Sequence, residues 1–190
     1  MMKKIALIYM GGTFGCIGEP LSPMPAEQFI PKLQHILPLH LEIDCFTAPV
    51  IRDSSACIAS DWLQLLEQIQ HLQLQLYQHF VIIHGTDTLS YASAVLSRFM
   101  GQSAHVVLTG SQYPLLNAQG TDSREFTDAI DNLNFALDSA VQAPAGVYLA
   151  FHHQLIHAST ALKVHTTALN AFAGSAEEDR KSTRLNSSHT

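Results

Sequence analysis

The sequence has 190 residues, of which 47% are apolar and 14% are charged, and its formal net charge is −6. This composition is typical of a globular protein and excludes collagen, a coiled coil and an intrinsically disordered chain. No apolar run approaches the roughly 20 residues that span a bilayer, and the apolar stretch after Lys4 is too short for a signal peptide. The sequence also lacks the basic stripe that neutralises nucleic-acid phosphates. We therefore expect no membrane and no nucleic acid among its partners, whereas a small polar substrate stays open.

The cysteines and histidines indicate neither a disulfide framework nor a metal site. Cys16, Cys45 and Cys57 are widely spaced and odd in number, which favours free thiols in a reducing cytoplasm. The eleven histidines occur without an HExxH motif or a closely spaced cysteine pair. We expect a cytoplasmic protein that binds no metal.

The last twelve residues, 179–190, differ in composition from the rest of the chain. They read DRKSTRLNSSHT, a polar stretch with one apolar residue and no periodicity. The stretch also resembles the translation of a common sequencing-library adapter. We therefore expect one domain over residues 1–178 and a non-native, adapter-derived tail over 179–190, with the natural protein continuing beyond residue 178.

Short apolar runs alternate with amphipathic helical patterns along the rest of the chain. Pro31 disturbs the first helical pattern, Ser60 can cap the second, and Gly101 can stop the third. In chain order, the predicted elements are a strand over 5–10, a helix over 26–37, a β-rich segment over 41–50, a helix from Ser60 through Leu76, a strand over 80–83, a helix over 88–100, a strand over 105–108, a helical stripe from Phe126 to Ala140 and a strand over 146–151.

Five strands separated by four helices predict an α/β fold. Right-handed crossovers between successive strands produce a mostly parallel sheet with helices on both faces, which is a three-layer architecture. In such a sheet the ligand binds beyond the carboxyl ends of the strands. The residues that follow each strand are therefore the first candidates for a functional site.

Polar side chains follow four successive predicted strands. They are Thr13 in GGTFG, Ser54 and Ser55 in RDSS, Thr86 and Asp87 in HGTDT, and Ser111 and Gln112 in TGSQ. Lys163 lies beyond the fifth strand, in a predicted hairpin. Hydroxyls, one carboxylate and one lysine at the same edge of a sheet suit nucleophilic chemistry.

Each of these segments also has a purely structural interpretation. The glycines before Thr13 suit a tight turn, and GGTFGCIG lacks the Lys-Ser/Thr ending of a phosphate-binding loop. Thr86 and Asp87 lie at a strand-to-helix junction, where a carboxylate can cap the helix. Lys163 suits a solvated surface as well as a site. His84, at the end of an apolar strand, is expected to be a hydrogen-bonded core histidine rather than a base.

Taken in order, the motifs resemble those of the bacterial-type L-asparaginases. They are GGTFG at 11–15, DSS at 53–55, HGTDTL at 84–89, TGSQ-x-P at 109–114, TDAIDNL at 127–133 and Lys163 in TALKVHT. The resemblance covers residues 3–178 and is greatest to the cytoplasmic type I branch, because DSS stands where periplasmic relatives have GSQ. It implies a flavodoxin-like N-terminal asparaginase domain without the smaller C-terminal domain, a homo-oligomer when full length, and no cofactor.

The resemblance also implies a role for each matching residue. Thr13 would be the nucleophile that attacks the side-chain amide of L-asparagine and releases ammonia from an acyl-enzyme. The remaining catalytic residues would be Thr86, Asp87 and Lys163, and the substrate would be bound by Gly12, Ser54, Ser55, Gly85 and Asp87, the last pairing with its α-ammonium group. L-Glutamine is the alternative substrate, because one methylene changes affinity by only about 1–3 kcal/mol.

Two features depart from the family pattern. The family has a tyrosine in the lid after GGT, whereas here no tyrosine occurs between Thr13 and Gln34, and three prolines stiffen the lid, residues 18–29. Ala56 also stands where the family commonly has an aspartate. The missing tyrosine and the absent second domain favour, as the alternative to an enzyme, a non-catalytic amino-acid-binding or degenerate domain that keeps the pocket. An amidase subunit of an amidotransferase would need an additional N-terminal module.

Overall fold

A computed structural model describes residues 3–174 of the chain. The strands are β1 (Lys4–Tyr9), β2 (Cys16–Ile17), β3 (Ser22–Pro23), β4 (Glu42–Thr47), β5 (His79–Ile83), β6 (His105–Thr109), β7 (Gly146–Phe151), β8 (Gln154–His157), β9 (Leu162–Lys163) and β10 (Phe172–Ala173). The helices are α1 (Ala26–His35), α2 (Ala59–Leu74), α3 (Leu89–Met100) and α4 (Ala129–Gln142). The predicted tail over 179–190 and the end of the predicted domain lie outside the described residues.

The central sheet has six strands in the order β4-β1-β5-β6-β7-β8. The strands from β4 to β7 pair in parallel, and β8 pairs antiparallel with β7. Counted along the chain, the parallel strands follow the order 2-1-3-4-5, which is that of flavodoxin-like folds. The predicted mostly parallel α/β fold is therefore confirmed.

Helices cover both faces of the sheet, because successive residues of a strand point to opposite sides. On β1, the fully buried Ile5 and Leu7 share a core with α1 and α4. The equally buried Ala6 and Ile8 share the other core with α2 and α3. Burial on both faces explains why the strands read as continuous apolar runs in the sequence.

Two predicted helix starts differ from the structure. α2 begins at Ala59, so Ser60 lies inside the helix, and the Asp61 carboxylate instead accepts a hydrogen bond from the Ile58 backbone N–H at 3.0 Å. α4 begins at Ala129, and Phe126, predicted to belong to its apolar stripe, lies outside the helix and is 60% exposed. The spacing of apolar residues does not show which carboxylate caps a helix, as Asp61 does, or which bulky residue lies in a turn, as Phe126 does. It therefore does not fix where a helix begins.

The described residues also form short antiparallel strand pairs, of which the sequence predicts only a hairpin around Lys163. β8 forms a hairpin with β7, β2 pairs with β3, and β9 pairs with β10. Lys163, predicted in a hairpin beyond the fifth strand, belongs to β9, and its antiparallel pairing with β10 agrees with that prediction. Phe172 of β10 packs edge-on against Phe151 of β7, with 4.9 Å between ring centroids. This aromatic contact holds the β9–β10 pair, and with it Lys163, against the sheet.

Within residues 3–174, no helix is long and apolar enough to cross a membrane.

Candidate active site

The loops after β1 and β5 meet where the winding of the sheet changes direction. β1 lies between β4 and β5, so the chain passes to one side of β1 and then to the other. A Cβ added to Gly12, whose φ is 91°, would lie 2.5 Å from the Cα of Gly85. A Cβ added to Gly110, after β6, would lie 2.3 Å from the His84 carbonyl oxygen. Glycine alone allows this backbone contact, which brings the GGT and HGTD segments together at the usual ligand-binding edge.

Thr13 begins a short 3-10 helix, Thr13–Gly15, directly after this contact. Beneath that helix, the hydroxyl of the buried Tyr9 packs against Gly15, where an added Cβ would lie 1.6 Å from the tyrosine oxygen. Burial raises the pKa of Tyr9 well above its ordinary value, so its hydroxyl stays protonated. A tyrosine therefore supports this loop from β1, whereas the lid itself has none.

The structure brings Thr86, Asp87 and Lys163 together. Lys163 Nζ donates a hydrogen bond to Thr86 Oγ1 and forms an ion pair with Asp87 Oδ1, each at 3.0 Å. The Lys163 side chain is only 15% exposed, whereas that of Asp87 is 57% exposed. The N-cap residue of α3 is Thr88, so Asp87 lies one residue outside the helix. Asp87 therefore pairs with Lys163 and is not the N-cap residue of α3.

The loop after β6 connects this cluster to the segment that follows Lys163. Thr86 Oγ1 donates to Gln112 Oε1 over 3.4 Å. Gln112 Nε2 donates to the carbonyl oxygens of Thr166 and Ala168 at 3.1 and 3.0 Å. One glutamine side chain thus contacts both the loop after β5 and the segment between β9 and β10.

Asp128 and Asn132, at the start of α4, hold the loop after β6 in place. The sequence alone indicated no role for either residue. The Asp128 carboxylate accepts hydrogen bonds from the backbone N–H groups of Gln112 and Tyr113 at 2.9 and 3.0 Å. The buried Asn132 donates to the Gly110 carbonyl oxygen at 2.9 Å. An asparagine on the apolar stripe of a helix was the signal for such a role, because buried amides need partners.

The loop after β4 carries Ser54 and Ser55, which belong to a second short 3-10 helix. Ser55 is exposed. Arg52, just before them, forms a two-bond ion pair with the buried Asp61 of α2, at 3.0 and 3.1 Å. A Cβ added to Gly11 would lie 3.6 Å from the Arg52 carbonyl oxygen. The loop therefore borders the GGT segment and is anchored to α2.

His84 is a buried, hydrogen-bonded core residue, as predicted. Its Nε2 accepts from Trp62 Nε1 at 3.1 Å, and its Nδ1 lies 2.8 Å from the Gly85 carbonyl oxygen. Because an indole N–H can only donate, the ring proton of His84 is on Nδ1 and the ring is neutral. Burial holds the pKa of His84 below its usual range, which agrees with this assignment. The histidine therefore ties α2 to the HGTD segment.

A cavity of about 530 Å³ opens between the lid and the loop after β6. Its walls include Leu21 of the lid, Gln112, Tyr113 and Arg124. The Arg124 guanidinium lies 5.0 Å from the centre of the Tyr113 ring. Gln112, whose side chain also contacts Thr86, lies in the wall of this cavity, whereas Thr13, Thr86, Asp87 and Lys163 do not line it.

No group of three or more His, Cys, Asp or Glu side chains in the described part of the chain could hold a metal ion. Cys16, Cys45 and Cys57 are all free thiols.

Comparison with known proteins assigns the family. The family model described as "Asparaginase, N-terminal" matches residues 4–186. The chain belongs to the asparaginase family. L-asparaginase 1 of Escherichia coli K12 is 31% identical over 178 residues, which are 90% of this chain and 50% of that protein.

The chain is also similar to a further curated protein and to solved structures. The 60 kDa lysophospholipase of Mus musculus is 40% identical over 198 residues, covering 90% of this chain and 34% of that protein. The crystal structure of L-asparaginase I from Vibrio cholerae superposes with a TM-score of 0.76 at 28% identity, covering 92% of this chain and 52% of that one. This chain thus spans about half the length, or less, of the relatives it matches.

Proposed function

We propose that this chain supplies the nucleophile-bearing part of an amidohydrolase that converts L-asparagine and water to L-aspartate and ammonia. The observation that carries the proposal is the contact of Lys163 Nζ with Thr86 and Asp87, at the edge where the GGT and HGTD segments meet. Membership of the asparaginase family supports amide hydrolysis. The similarity to the E. coli L-asparaginase 1 supports asparagine as the amide.

In the proposed reaction, Thr13 Oγ1 attacks the side-chain amide carbon of asparagine. The carbon–nitrogen bond then breaks, and the nitrogen takes up the proton that Thr13 lost and leaves as ammonia. Water attacks the resulting acyl-enzyme, one of its protons returns to Thr13 Oγ1, and L-aspartate is released. Backbone N–H groups of the GGT turn are the proposed oxyanion donors, each worth about 3–4 kcal/mol in other acyl-transfer enzymes.

The Thr86 cluster is the proposed carrier of the proton in transit. A threonine hydroxyl is a poor nucleophile near neutral pH and needs neighbours that accept its proton. The Thr86 hydroxyl can accept a proton on one side and release one on the other, and Lys163 lies within hydrogen-bond distance of it. Asp87 balances the charge of the lysine, and we propose that it also pairs with the α-ammonium group of the substrate. Ser54 and nearby backbone amides are the proposed partners of the α-carboxylate, and Ser55 is proposed to line the pocket.

Ammonia release from asparagine tests the proposed reaction. We expect Thr13→Ala and Lys163→Met to lower kcat/KM about 100-fold or more, because each removes a group that takes part in bond making or proton transfer. Thr13→Ser, which keeps a hydroxyl, and Lys32→Met, which changes a lysine of α1, are the matched controls. Full activity in Thr13→Ala would refute the nucleophile, and equal losses in Lys32→Met and Lys163→Met would refute the cluster.

A non-catalytic amino-acid-binding domain is the second candidate function. Its support is the absence of a tyrosine between Thr13 and Gln34. This candidate predicts that L-aspartate raises the melting temperature without any ammonia release from asparagine. Asp87→Ala should abolish the stabilisation if the ligand occupies the same pocket, and persistence of the stabilisation would place the ligand elsewhere.

The assembly and the location of the protein are also proposals. We propose a homo-oligomer in the cytoplasm. Free cysteines support a reducing compartment, and burial raises the pKa of Cys45 to about 11, which keeps this thiol protonated.

Asparagine is the preferred substrate over glutamine in this proposal, and a higher kcat/KM for asparagine than for glutamine is the expected result.

A further inference from the structure

We propose that Gln112 is a positioning residue for this reaction, because its side-chain amide orients the Thr86 hydroxyl and fixes the segment that follows Lys163. The inference rests on the proposed function. Gln112 acts through its neighbours Thr86 and Lys163, which the proposed mechanism uses directly.

The orientation of the Gln112 amide follows from its partners. Nε2 carries two hydrogens, and the carbonyl oxygens of Thr166 and Ala168 lie 3.1 and 3.0 Å from it. A flipped amide would place Oε1 against two carbonyl oxygens, neither of which can donate. Oε1 therefore faces Thr86, 3.4 Å from the hydroxyl oxygen, and can only accept there.

This orientation determines where the Thr86 hydroxyl hydrogen points. Lys163 Nζ donates to Thr86 Oγ1 at 3.0 Å and so occupies one of the two lone pairs on that oxygen. The hydroxyl hydrogen points to Gln112 Oε1, and the second lone pair is directed to neither residue. The 3.4 Å contact is long and therefore weak, so the hydroxyl can exchange this partner when a proton moves.

The same amide ties down the segment between β9 and β10. Each of these strands has two residues, and residues 164–168 between them are exposed. So short a strand pair restrains its connecting segment weakly, and the two hydrogen bonds from Gln112 add a connection to the loop after β6. Gln112 is fixed in turn by Asp128, which accepts from its backbone N–H at 2.9 Å.

Gln112→Met is the variant that tests this role, because methionine is also unbranched and of similar length but has no amide. Gln73→Met is the matched control. Gln73 lies near the C-terminal end of α2 and donates to the Ser103 carbonyl oxygen at 3.4 Å on the exposed surface. Both variants remove a glutamine amide, and only the first removes a contact with the cluster.

The first measurement needs no turnover and follows the ε-methylene signal of Lys163 in a carbon–proton NMR spectrum of the 190-residue chain. The sequence has five lysines, so Lys163→Met identifies the signal. Asp87→Asn, which removes the ion pair, sets the scale of the shift. We expect Gln112→Met to move the Lys163 signal by a comparable amount and Gln73→Met to leave it in place. An unmoved signal in folded Gln112→Met overturns the proposal.

A second measurement on the unmodified chain covers the case in which Gln112→Met does not fold. The two side-chain NH₂ hydrogens of Gln112 should exchange with solvent at least about tenfold more slowly than those of Gln73. The reason is that each of the two hydrogens of Gln112 is bonded to a carbonyl oxygen, whereas the amide of Gln73 makes one long hydrogen bond. Equal exchange rates overturn the proposal.

The third measurement is ammonia release from asparagine. We expect Gln112→Met to lower kcat about 10- to 100-fold while KM changes less than about threefold, because the groups that bind substrate stay in place. A loss confined to KM overturns the positioning role. If the unmodified chain releases no ammonia, the proposed function fails for this chain, whereas the NMR and exchange measurements still decide the role of Gln112.

Discussion

Three glycines determine how closely the groups of the candidate site approach one another. Gly12 and Gly110 pack against the backbone of residues 84–85, with no space for a side chain between the loops. Thr13 follows Gly12 and Thr86 follows Gly85, the two glycines that face each other where the loops after β1 and β5 meet. A methyl group at Gly12 would therefore separate the loops that carry the proposed nucleophile and the proposed proton carrier.

Gly12→Ala should lower the free energy of unfolding by about 1–3 kcal/mol more than Gly101→Ala. Both glycines have positive φ, so both variants carry backbone strain, whereas a Cβ at Gly101 would have no atom within 4 Å and one at Gly12 would meet Gly85 at 2.5 Å. Urea denaturation of both variants measures the difference. Equal losses would show that the loops are not in contact.

The sequence was sufficient to select the polar residues after the strands as candidate site residues, because topology alone predicts that the carboxyl ends of parallel strands converge. Thr86 and Asp87 follow β5 as this rule requires, and Lys163 contacts them from β9. The role of Gln112 was not predictable, because it depends on a segment more than 50 residues away in the chain. Such a contact is decided by how β9 packs, which no local pattern encodes.

Among the elements, α2 is joined to the residue that directly follows β5 through the hydrogen bond between Trp62 and His84. The neutral ring of His84 accepts this bond, and a protonated ring could not, since both of its nitrogens would then be donors. Acid therefore breaks a connection between a helix and the strand that leads to the HGTD segment.

Stability should fall as the pH drops below about 6.5, the ordinary pKa of histidine. The folded pKa of His84 is lowered, so below 6.5 the unfolded chain binds a proton that the folded chain does not, and stability is fully present only above that value. The buried His79, whose pKa is also lowered, adds to the slope with the same sign. His84→Gln, which keeps an acceptor for Trp62, should show a smaller loss between pH 7.5 and 5.5 in urea titrations followed by tryptophan fluorescence. An unchanged slope in this variant would contradict the assignment.

The elements themselves were predictable where both faces of a strand are buried, as in β1, β5 and β7, because an apolar run is then continuous. β8 was missed, since Gln154 and His157 flank only two buried residues and leave no period to detect. The start of α4 was misplaced because Phe126 extends the apolar spacing into a turn. The spacing of apolar residues therefore locates a helix or strand but does not fix its ends.

For the whole molecule, the exposed apolar residues of α3 bear on the proposed oligomer. Tyr91 and Phe99 are 64% and 58% exposed, and with the partly buried Val95 they recur every four residues, which places them on one stripe. Stripes of this kind are a feature of surfaces that pack against another chain.

Phe99→Lys should shift the protein toward the monomer, because it places a charge in a stripe that self-association would bury. Size-exclusion chromatography with light scattering measures the mass. Leu39→Lys is the control, since Leu39 is also exposed but lies in a loop away from α3. Identical masses for the unmodified protein and Phe99→Lys would show that α3 takes no part in assembly.

The glycine contacts beneath the site also limit how the substrate range can be changed by directed evolution. Gly12, Gly85 and Gly110 form a floor without spare volume, so substitutions there remove the site rather than reshape it. The cavity wall formed by the lid and the loop after β6 is different, because side chains such as Leu21 and Tyr113 face open space there. A library that selects for larger amides therefore has its useful diversity in that wall, while the floor stays invariant.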